Sequence, residues 1–521
     1  MITFYHIYSN SYFISLFFLV SPYVLSINGV FVQSSDTATT LKPCKFDILS
    51  NSQWSQCMCE NTDESNIHIR CRLRSWITVP KLPKVNDRGN NDSTVNVVAV
   101  TITDSALTFI AQDAFKNQSV QVIDLSNNHL EVINVNAFRG LEDTLYQLSL
   151  NHNNLFSIPT WALTYLHRLQ YLYIQHNMIS EIKSSTFDET QLKHLHFLHL
   201  DHNQFTILPQ GCFYRLPLHV LTLSNNRVIA IEKRALPPSL WFLDLKNNVL
   251  QEIPYSALRE LQTLRTLDLE GNNITKVESY SEVRFPAQID LILSNNRIKE
   301  LRADAFNSFT KFNKLDLSYN QISLIEPGIF NSVSYVRQLD FSYNQIVNIP
   351  MGTFGNVAKS LQSLNLEENR LHALPTALRQ LRALEHLNLN NNKLVFVDNA
   401  TLIHMKSSIT ELLLAFNRFT RVPTDLLDGM TRLTHLDLSK NRIQSISRLA
   451  FGTLDKTGMS LRRLNLAGNY IEQITDSATF LYMSALAYLD ISHNRIHQLS
   501  PNAFERLEGL ESLFLQVTAI E

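Results

Sequence analysis

One eleven-residue pattern, L-x-x-L-x-L-x-x-N-x-L, recurs along this chain from residue 97 onward. Clear copies are Leu145–Leu155, Leu264–Ile274 and Leu433–Ile443. The copies follow one another about every 24 residues, so the 521-residue chain is an array of about 18 small units and not several ordinary domains. The recurring asparagine stands at Asn128, Asn153, Asn177, Asn203, Asn226, Asn248, Asn272, Asn296, Asn320, Asn344, Asn369, Asn392, Asn417, Asn441, Asn469 and Asn494, with Ser105 and Thr518 in the first and last copies.

Each copy predicts a short β-strand followed by a turn. Apolar and variable residues alternate across Leu-x-Leu, so one face of the strand is buried and the other varies. Successive strands should stack in parallel about 4.8 Å apart, which makes a solenoid with one long sheet. The asparagine turns the chain out of the strand, and its amide can donate to and accept from neighbouring backbone. We therefore expect a buried asparagine ladder, in which losing one member costs on the order of 1–3 kcal/mol.

A second apolar column follows each strand on the return limb. It is mostly phenylalanine, and periodic aromatic residues are typical of a core. We expect a spine on the convex side that packs against the strand leucines, on limbs that form short helical or 3₁₀ turns. Its members are Phe115, Phe138, Phe187, Phe213, Phe306, Phe330, Phe354, Phe451, Phe480 and Phe504, with Leu163, Leu258, Leu378 and Leu427 in other copies.

The residues before the array indicate export. Residues 1–27 carry no charged side chain, and the apolar run Phe13–Val20 is too short to span a bilayer. We predict a signal peptide over residues 1–28, with an uncleaved anchor or a misplaced start as the alternative. Residues 29–94 then form a linker and a cysteine-rich N-terminal cap, and residues 95–521 form the solenoid.

The cysteines fit a secreted protein. Cys44, Cys57, Cys59 and Cys71 lie close together in the cap, where an exported chain favours disulfides over a metal site. Four cysteines allow three pairings. Cys212 falls on an apolar repeat position, so we expect a buried free thiol, with a partner in another chain as the alternative.

The array stops inside a repeat, at Ile520 and Glu521, without a second cysteine cluster. A solenoid needs a cap at each end, because an open apolar layer invites aggregation. We expect either that the sequence is a fragment, which we favour, or that the last repeats bind a partner.

The pattern and its period are those of the leucine-rich repeat, and the cap with its array resembles the extracellular leucine-rich-repeat proteins of animals. Within that class the chain looks most like the chaoptin-like cell-surface adhesion proteins, on the segments Cys57–Cys59, Ile67–Cys71 and Gly140–Leu148. Toll-type receptors and Slit-type guidance ligands share the repeat. The resemblance implies an α/β solenoid: a horseshoe of about 18 repeats with the parallel sheet on its concave face and a disulfide N-terminal cap. It also implies the pairs Cys44–Cys59 and Cys57–Cys71.

The variable strand positions hold the best candidate site for a partner. Tyr171, Tyr173, Phe197 and His199 occupy these positions in two adjacent repeats, and Phe242 lies two repeats further on. Their side chains should point away from the core on the concave face. Exposed aromatic residues mark protein-interaction hot spots, unless loops or glycans cover them.

Two polar columns are also periodic. His152, His176 and His202 directly precede ladder asparagines in consecutive repeats, and stacked strands would place them about 5 Å apart. A row of imidazoles can bind a transition metal or sense pH. No carboxylate or cysteine holds the same register, so we favour three solvated surface histidines. An aspartate column on the concave face either attracts cations or a basic ligand, or is ordinary repeat consensus, which we favour: Asp124, Asp244, Asp268, Asp316, Asp340, Asp437 and Asp490.

Composition narrows the function. The net charge is −2, from 45 basic and 47 acidic residues, so there is no electrostatic case for binding nucleic acid or an anionic membrane. The common phosphate-loop, zinc-protease and nucleophile-elbow motifs are missing, so we expect neither an enzyme nor a metal or cofactor. Four sequons are glycosylation candidates: Asn91, Asn117, Asn273 and Asn399.

A solenoid supplies surface and not a pocket. We therefore predict a secreted or cell-surface protein that binds proteins and mediates adhesion, with a protein ligand, a cell-surface protein or a second copy of itself as partner. Membrane attachment would use a region that this sequence lacks. The alternative is the ectodomain of a Toll-like signalling receptor.

Overall fold

The computed structural model describes residues 42–43, 54, 57–62, 66–80, 85–86, 94–116, 118–280, 282–447, 450–451, 460–476 and 478–516. Several predictions lie outside these residues: the signal peptide, Cys44, the sequons Asn91 and Asn117, and Thr518 at the last ladder position. For Asn399 the backbone is described and the side chain is not.

Eighteen parallel strands follow one another through the described part of the array, one for each predicted repeat. Their leucines lie opposite one another, so that Leu148 pairs with Leu172 and Leu172 with Leu198. These leucines are fully buried, because each strand turns the same face to the core. The predicted solenoid is thus confirmed. The strands are Thr94–Thr103, Val122–Asp124, Gln147–Ser149, Tyr171–Tyr173, Phe197–His199, Val220–Thr222, Phe242–Asp244, Thr266–Asp268, Phe285–Ile292, Phe309–Asp316, Tyr335–Asp340, Ser363–Asn365, His386–Asn388, Glu411–Leu413, His435–Asp437, Arg463–Asn465, Tyr488–Asp490 and Ser512–Phe514.

The return limbs differ from one repeat to the next. Some form single helical turns, as predicted: in the described part of the chain four of them follow Pro159, Pro254, Pro375 and Pro423, and the fifth follows Asp398, whose side chain accepts from the Ala400 amide. The α-helices are Thr160–Leu163, Tyr255–Leu258 and Thr424–Leu427, and the 3₁₀ helices are Thr376–Gln380 and Asn399–Thr401. Other limbs pair as two-residue parallel strands: Phe109–Ile110 with Val132–Ile133, Ile207–Leu208 with Ala230–Ile231, Glu300–Leu301 with Leu324–Ile325, and Gln473–Ile474 with Gln498–Leu499.

The phenylalanine spine lies where the repeat predicts it. Phe306 stacks on Phe330 with ring centroids 5.6 Å apart, and Phe330 stacks on Phe354 at 6.3 Å. The spine rings are buried except Phe504, which is half-buried near the end of the described array. Burying these rings contributes most to holding one limb against the next.

The cap closes the first repeat with a hairpin. Strand Met58–Asn61 pairs antiparallel with strand Asn66–Arg72, which in turn pairs in parallel with Thr94–Thr103. Two further short strands are Lys42–Pro43 and Val85–Asn86. The hairpin therefore continues the main sheet and covers its first apolar layer.

A disulfide joins Cys57 to Cys71 within the cap, which is one of the two pairs that the family resemblance implied. Cys59 is also disulfide-bonded, whereas its predicted partner lies outside the described residues. Trp54 is fully buried against Trp76, with ring centroids 5.0 Å apart. Cys212 is a buried free thiol, as predicted.

Candidate protein-binding surface

The asparagine ladder fixes the turn after every strand. In Asn177, Oδ1 accepts from the Leu155 amide at 3.0 Å, and Nδ2 donates to the carbonyls of Leu150, Ile174 and Gln175 at 3.0–3.1 Å. The other ladder asparagines repeat this arrangement, except that Asn469 Nδ2 donates to two carbonyls, and all sixteen are only 3–8% exposed. Because each amide joins two consecutive repeats, the strands stay in register and the variable side chains beside them form straight rows.

Two rows of stacked rings stand on the side of the main sheet that faces away from the leucine core, which we call the sheet face. Tyr171 lies opposite Phe197, and Tyr173 lies opposite His199. The ring centroids are 4.5 Å apart in the first pair and 4.9 Å apart in the second, with planes within 7° of parallel. The rings are half-buried and not fully exposed, because each covers a face of its neighbour.

Phe242 extends the first row. The residues opposite one another along it are Tyr171, Phe197, Val220 and Phe242. Val220 is buried between the two phenylalanines. The row is therefore a continuous apolar strip across four repeats.

The structure adds four rings that the sequence reasoning missed. Tyr146 meets the Tyr171 ring edge-on at 6.3 Å, and Trp241 meets Phe242 edge-on at the same distance. His196 stacks on His219 with centroids 4.4 Å apart. All four follow the first leucine of their copy, one residue before the strand, and that offset was the available signal. We call the whole set the aromatic patch: Tyr146, Tyr171, Tyr173, His196, Phe197, His199, His219, Trp241 and Phe242.

The tyrosines of the aromatic patch are uncharged at neutral pH. Burial raises the pKa of Tyr146, Tyr171 and Tyr173 above the ordinary tyrosine value. Burial also lowers the pKa of His199, although Asp201 opposes this effect. The patch therefore offers apolar ring area with polar tips, a combination enriched at protein interfaces.

The aspartate column has a structural role. In each member Oδ1 accepts from the backbone amide two residues later, at 2.8–3.0 Å, as Asp244 does from Lys246. The column thus holds its own turns, which supports ordinary repeat consensus over a cation site. Burial and the neighbouring Asp268 raise the pKa of Asp244 to about 7, and burial raises the pKa of Asp268 to about 6.

In some repeats that carry the aromatic patch, other residues accept the hydrogen bond from this turn amide. Asn151 Oδ1 accepts from the Gln175 amide at 2.8 Å, and Asp201 Oδ1 accepts from the Ser224 amide at 2.8 Å. Each acceptor belongs to the preceding repeat. Tyr173 and Thr222 stand two residues before these amides, in the position that aspartate holds elsewhere. They therefore do not need to accept the hydrogen bond that fixes the turn.

The three histidines before the ladder stack more closely than the sequence predicts. Ring centroids are 3.9 Å apart between His152 and His176 and again between His176 and His202. All three side chains are exposed. Although no carboxylate shares their register, Asp201 lines the same groove.

This stack does not have the geometry of a metal site. The planes lie within 12° of parallel, so lone pairs in the ring planes run side by side and do not converge on one ion. Among the residues that the structure describes, no group of three or more histidine, cysteine, aspartate or glutamate side chains is arranged to hold a metal ion. The sequon Asn273 is half-buried next to the ladder residue Asn272.

Two family profiles cover the array. The profile described as "Leucine rich repeat" matches residues 217–274, 290–346, 334–394, 407–457 and 459–520. The profile "BspA type Leucine rich repeat region (6 copies)" matches residues 92–215.

The chain is similar to known extracellular proteins. It is 30% identical over 415 residues to podocan-like protein 1 of Mus musculus, which covers 78% of this chain and 61% of the mouse protein. It is 32% identical over 432 residues to podocan-like protein 1 of Homo sapiens, with 76% of each chain covered. The chain thus spans less than two thirds of the mouse relative's length. Relatives of the podocan and osteomodulin type are secreted glycoproteins of the extracellular matrix and cell surface, which confirms the predicted extracellular location.

The fold also matches solved structures. Drosophila Toll in its complex with Spätzle superimposes with a TM-score of 0.62 at 17% identity, over 85% of this chain and 66% of that one. At this identity the likeness establishes the fold alone. Within the described ranges, no helix has the length and hydropathy needed to cross a bilayer.

Proposed function

Because the chain belongs to the leucine-rich-repeat family, we propose that it is an extracellular binding protein whose sheet face holds a protein ligand. The aromatic patch carries this proposal. Its rings stand on neighbouring strands, and the ladder and the core fix those strands on their other side. A preorganised surface of this kind loses little side-chain entropy on binding.

The chemistry of the patch fits a protein better than a small molecule. The apolar strip from Tyr171 to Phe242 is open and crosses four repeats, whereas small-molecule sites are concave pockets. Tyrosine and tryptophan are the residues most often found at interface hot spots. The tyrosine hydroxyl groups and the indole N–H of Trp241 would form hydrogen bonds with the ligand's backbone around an apolar centre.

We further propose that this binding serves adhesion, with a cell-surface protein or a second copy of the chain as partner. The chaoptin-like features of the cap and repeats support this view. A net charge of −2 also allows two copies to approach without strong long-range repulsion. A Toll-like receptor ectodomain would instead capture a soluble ligand, as Toll holds Spätzle in the matching structure.

Bead binding tests the proposal. The purified chain would be coupled to fluorescent beads and tested against matching beads and against cells. We expect Tyr171→Ala/Phe197→Ala to weaken binding by about 30-fold or more, the effect of losing a hot spot. Tyr488→Ala is the matched control, because Tyr488 begins a strand in the same position but lies far from the patch.

The outcomes separate the alternatives. Aggregation of matching beads identifies a second copy as the partner, and binding to cells alone identifies a different surface protein. Equal losses in the double variant and the Tyr488→Ala control would contradict the aromatic patch. Wild-type beads that bind neither matching beads nor cells would contradict adhesion.

A further inference from the structure

Two histidine stacks lie at opposite ends of the strands that carry the aromatic patch; one stack belongs to the patch and the other borders it. His196 and His219 form the entry stack, just before the strands Phe197–His199 and Val220–Thr222. His152, His176 and His202 form the edge stack, three residues after the strands end. We propose that these stacks make binding at the patch acid-sensitive: protonation turns a neutral surface into a cationic one and releases the ligand. This inference rests on the proposed binding function.

The edge stack places titrating groups in direct contact. Its centroid separations of 3.9 Å leave no room for water between rings. Neutral imidazoles stack favourably, whereas two neighbouring imidazolium rings repel each other. Protonation therefore opposes the stacking seen here, and each proton taken up makes the next one harder to add.

The backbone holds the edge-stack histidines in the left-handed conformation. His152, His176 and His202 adopt left-handed φ values of 52°, 54° and 53°. Side chains other than asparagine and glycine rarely adopt this conformation, which carries a steric cost for them. The equivalent position in other repeats holds asparagine or glycine at Asn127, Asn225, Asn247, Gly271, Asn295, Asn391 and Gly468, and other side chains at Asp104, Tyr319, Tyr343, Glu368, Phe416, Lys440 and His493. The repeat therefore imposes this conformation on the residue before the ladder position, whatever its side chain.

The entry stack is also built for titration. His196 and His219 lie 4.4 Å apart with planes 5° from parallel. His196 Nδ1 donates to the Pro217 carbonyl at 3.0 Å. The His194 ring meets His196 edge-on at 6.5 Å. A proton on either stacked ring therefore acts on the other.

Few opposite charges face these histidines. Asp201 is the acidic residue lining the groove of the edge stack, where Asn151, Gln175 and Ser224 are uncharged. Its oxygens already accept from Thr222 Oγ1 and from the amide and hydroxyl of Ser224.

The strands beyond add little negative charge. Asp244 lies on the strand after Thr222, and its Oδ1 already accepts from the Lys246 amide. The charge of Glu270 is paired with Lys246 at 2.8 Å. The patch tyrosines on the preceding strands stay neutral, as described above. One nearby carboxylate cannot balance five histidines, so acidification makes this sector cationic.

The directions of the pKa shifts agree with this geometry. Burial, then the charges of His152 and His202, lower the pKa of His176, although Asp201 acts in the opposite sense. Burial and then His196 lower the pKa of His219. Both histidines therefore take up protons at lower pH than an ordinary imidazole and are neutral near pH 7.4.

A triple substitution tests the edge stack. His152→Asn/His176→Asn/His202→Asn installs the residue that neighbouring repeats carry at this left-handed position, so the backbone is preserved. His493→Asn is the matched control, since His493 has a φ of 55° at the same position in a distant repeat. Binding of the fluorescent full chain to cells would be measured at pH 7.4 and pH 5.5.

We expect wild type and His493→Asn to lose about tenfold or more in affinity at pH 5.5, a difference that two or three added charges can produce at an interface. The triple variant should bind as wild type at pH 7.4 and lose less than about threefold. Equal wild-type binding at both pH values would overturn the inference alone. Absence of binding at either pH would overturn the binding function and the inference together.

The titration of the edge stack can also be measured directly, without a ligand. In protein labelled with ¹³C at histidine Cε1, the resonances missing from the triple variant belong to the edge stack. We expect the His176 resonance, identified in a His176→Asn variant, to titrate at lower pH than an ordinary imidazole, because burial and the neighbouring His152 and His202 lower its pKa. A His176 resonance that titrates as an ordinary imidazole would overturn the proposal whatever the binding result.

Discussion

Two sectors of the solenoid share one scaffold and present different surfaces. The strands from Gln147–Ser149 to Phe242–Asp244 carry rings and histidines on the sheet face, whereas those from Phe309–Asp316 to Tyr488–Asp490 mostly carry aspartate or asparagine at the last strand position. Buried leucines and ladder asparagines are the same in both. The repeat thus specifies the interior in every copy and leaves the sheet face free to diverge.

The two sectors also differ in which side chains most often accept the hydrogen bond from the turn amide. In the second sector Asp316, Asp340, Asp437 and Asp490 each bind the amide two residues later. In the first sector Asn151 and Asp201 reach over from the preceding repeat and bind the equivalent amides, as Asn390 does once in the second sector for the Ala415 amide. Moving this bond to another residue makes a strand position available for a ring without leaving a buried amide unpaired.

The largest expected effect tests whether the asparagine ladder contributes equally to stability in the two sectors. Asn203→Ala in the aromatic sector and Asn441→Ala in the aspartate sector each remove one acceptor and an Nδ2 group with three donor contacts. We expect each to lower the local free energy of unfolding by about 3 kcal/mol or more, since buried partners lose their bonds. Hydrogen exchange of the flanking strands measures both. A loss of local stability in only one of the two variants would contradict the conclusion that both sectors share the same interior.

A smaller effect concerns the border between the sectors. Ionising Asp244 costs free energy in the folded chain, because its pKa is raised to about 7 while the unfolded chain ionises near the ordinary value. The folded state is therefore destabilised as pH rises from about 4 through 7, by about 2 kcal/mol between pH 5 and pH 8.

Asp244→Asn removes that penalty and keeps the turn, since Asn365, Asn388 and Asn465 make the same bond in other repeats. We expect the variant to be more stable than wild type at pH 8 and alike at pH 5. Hydrogen exchange, corrected for the intrinsic pH dependence of the rate, measures the difference. Parallel pH profiles of the two proteins would rule out the buried carboxyl as the cause.

The smallest expected effect separates binding rings from folding residues. Tyr173 is half-buried, and its main ring contact is His199 at 4.9 Å. Tyr173→Ala should cost only about 1 kcal/mol of stability, the value of one aromatic pair. Its neighbour Leu172 is fully buried, and Leu172→Ala should cost about 2–5 kcal/mol. Similar losses in urea unfolding would mean that the patch belongs to the core.

The sequence predicted the fold because its interior is periodic. Leucine, asparagine and phenylalanine recur at fixed spacing, and each position has one environment in every copy. The same periodicity placed Tyr171, Tyr173, Phe197 and His199 on the sheet face. The stacking of these rings depends on the register between repeats, which follows from the pattern.

The sequence reasoning missed residues that lie just outside the strands and contacts that join one repeat to the next. Tyr146, His196, His219 and Trp241 precede their strands, so the alternation of Leu-x-Leu does not assign them a face. Asp201 meets the edge stack because a loop of one repeat reaches the next, and spacing along the chain does not encode that contact. The choice between a helical turn and a short strand on each limb likewise depends on local residues such as Pro159 and Pro254.

The most direct test of the central claim is hydroxyl-radical footprinting of the chain, free and bound to cells. If the aromatic patch is the binding surface, Tyr171, Phe197 and Trp241 should be oxidised at least about threefold more slowly in the bound chain, because a hot-spot contact excludes solvent. Tyr488 and Phe514, whose rings lie tilted against each other at 5.2 Å far from the patch, should react alike in both states. Protection at Tyr488 and Phe514 without protection of the patch would contradict the account.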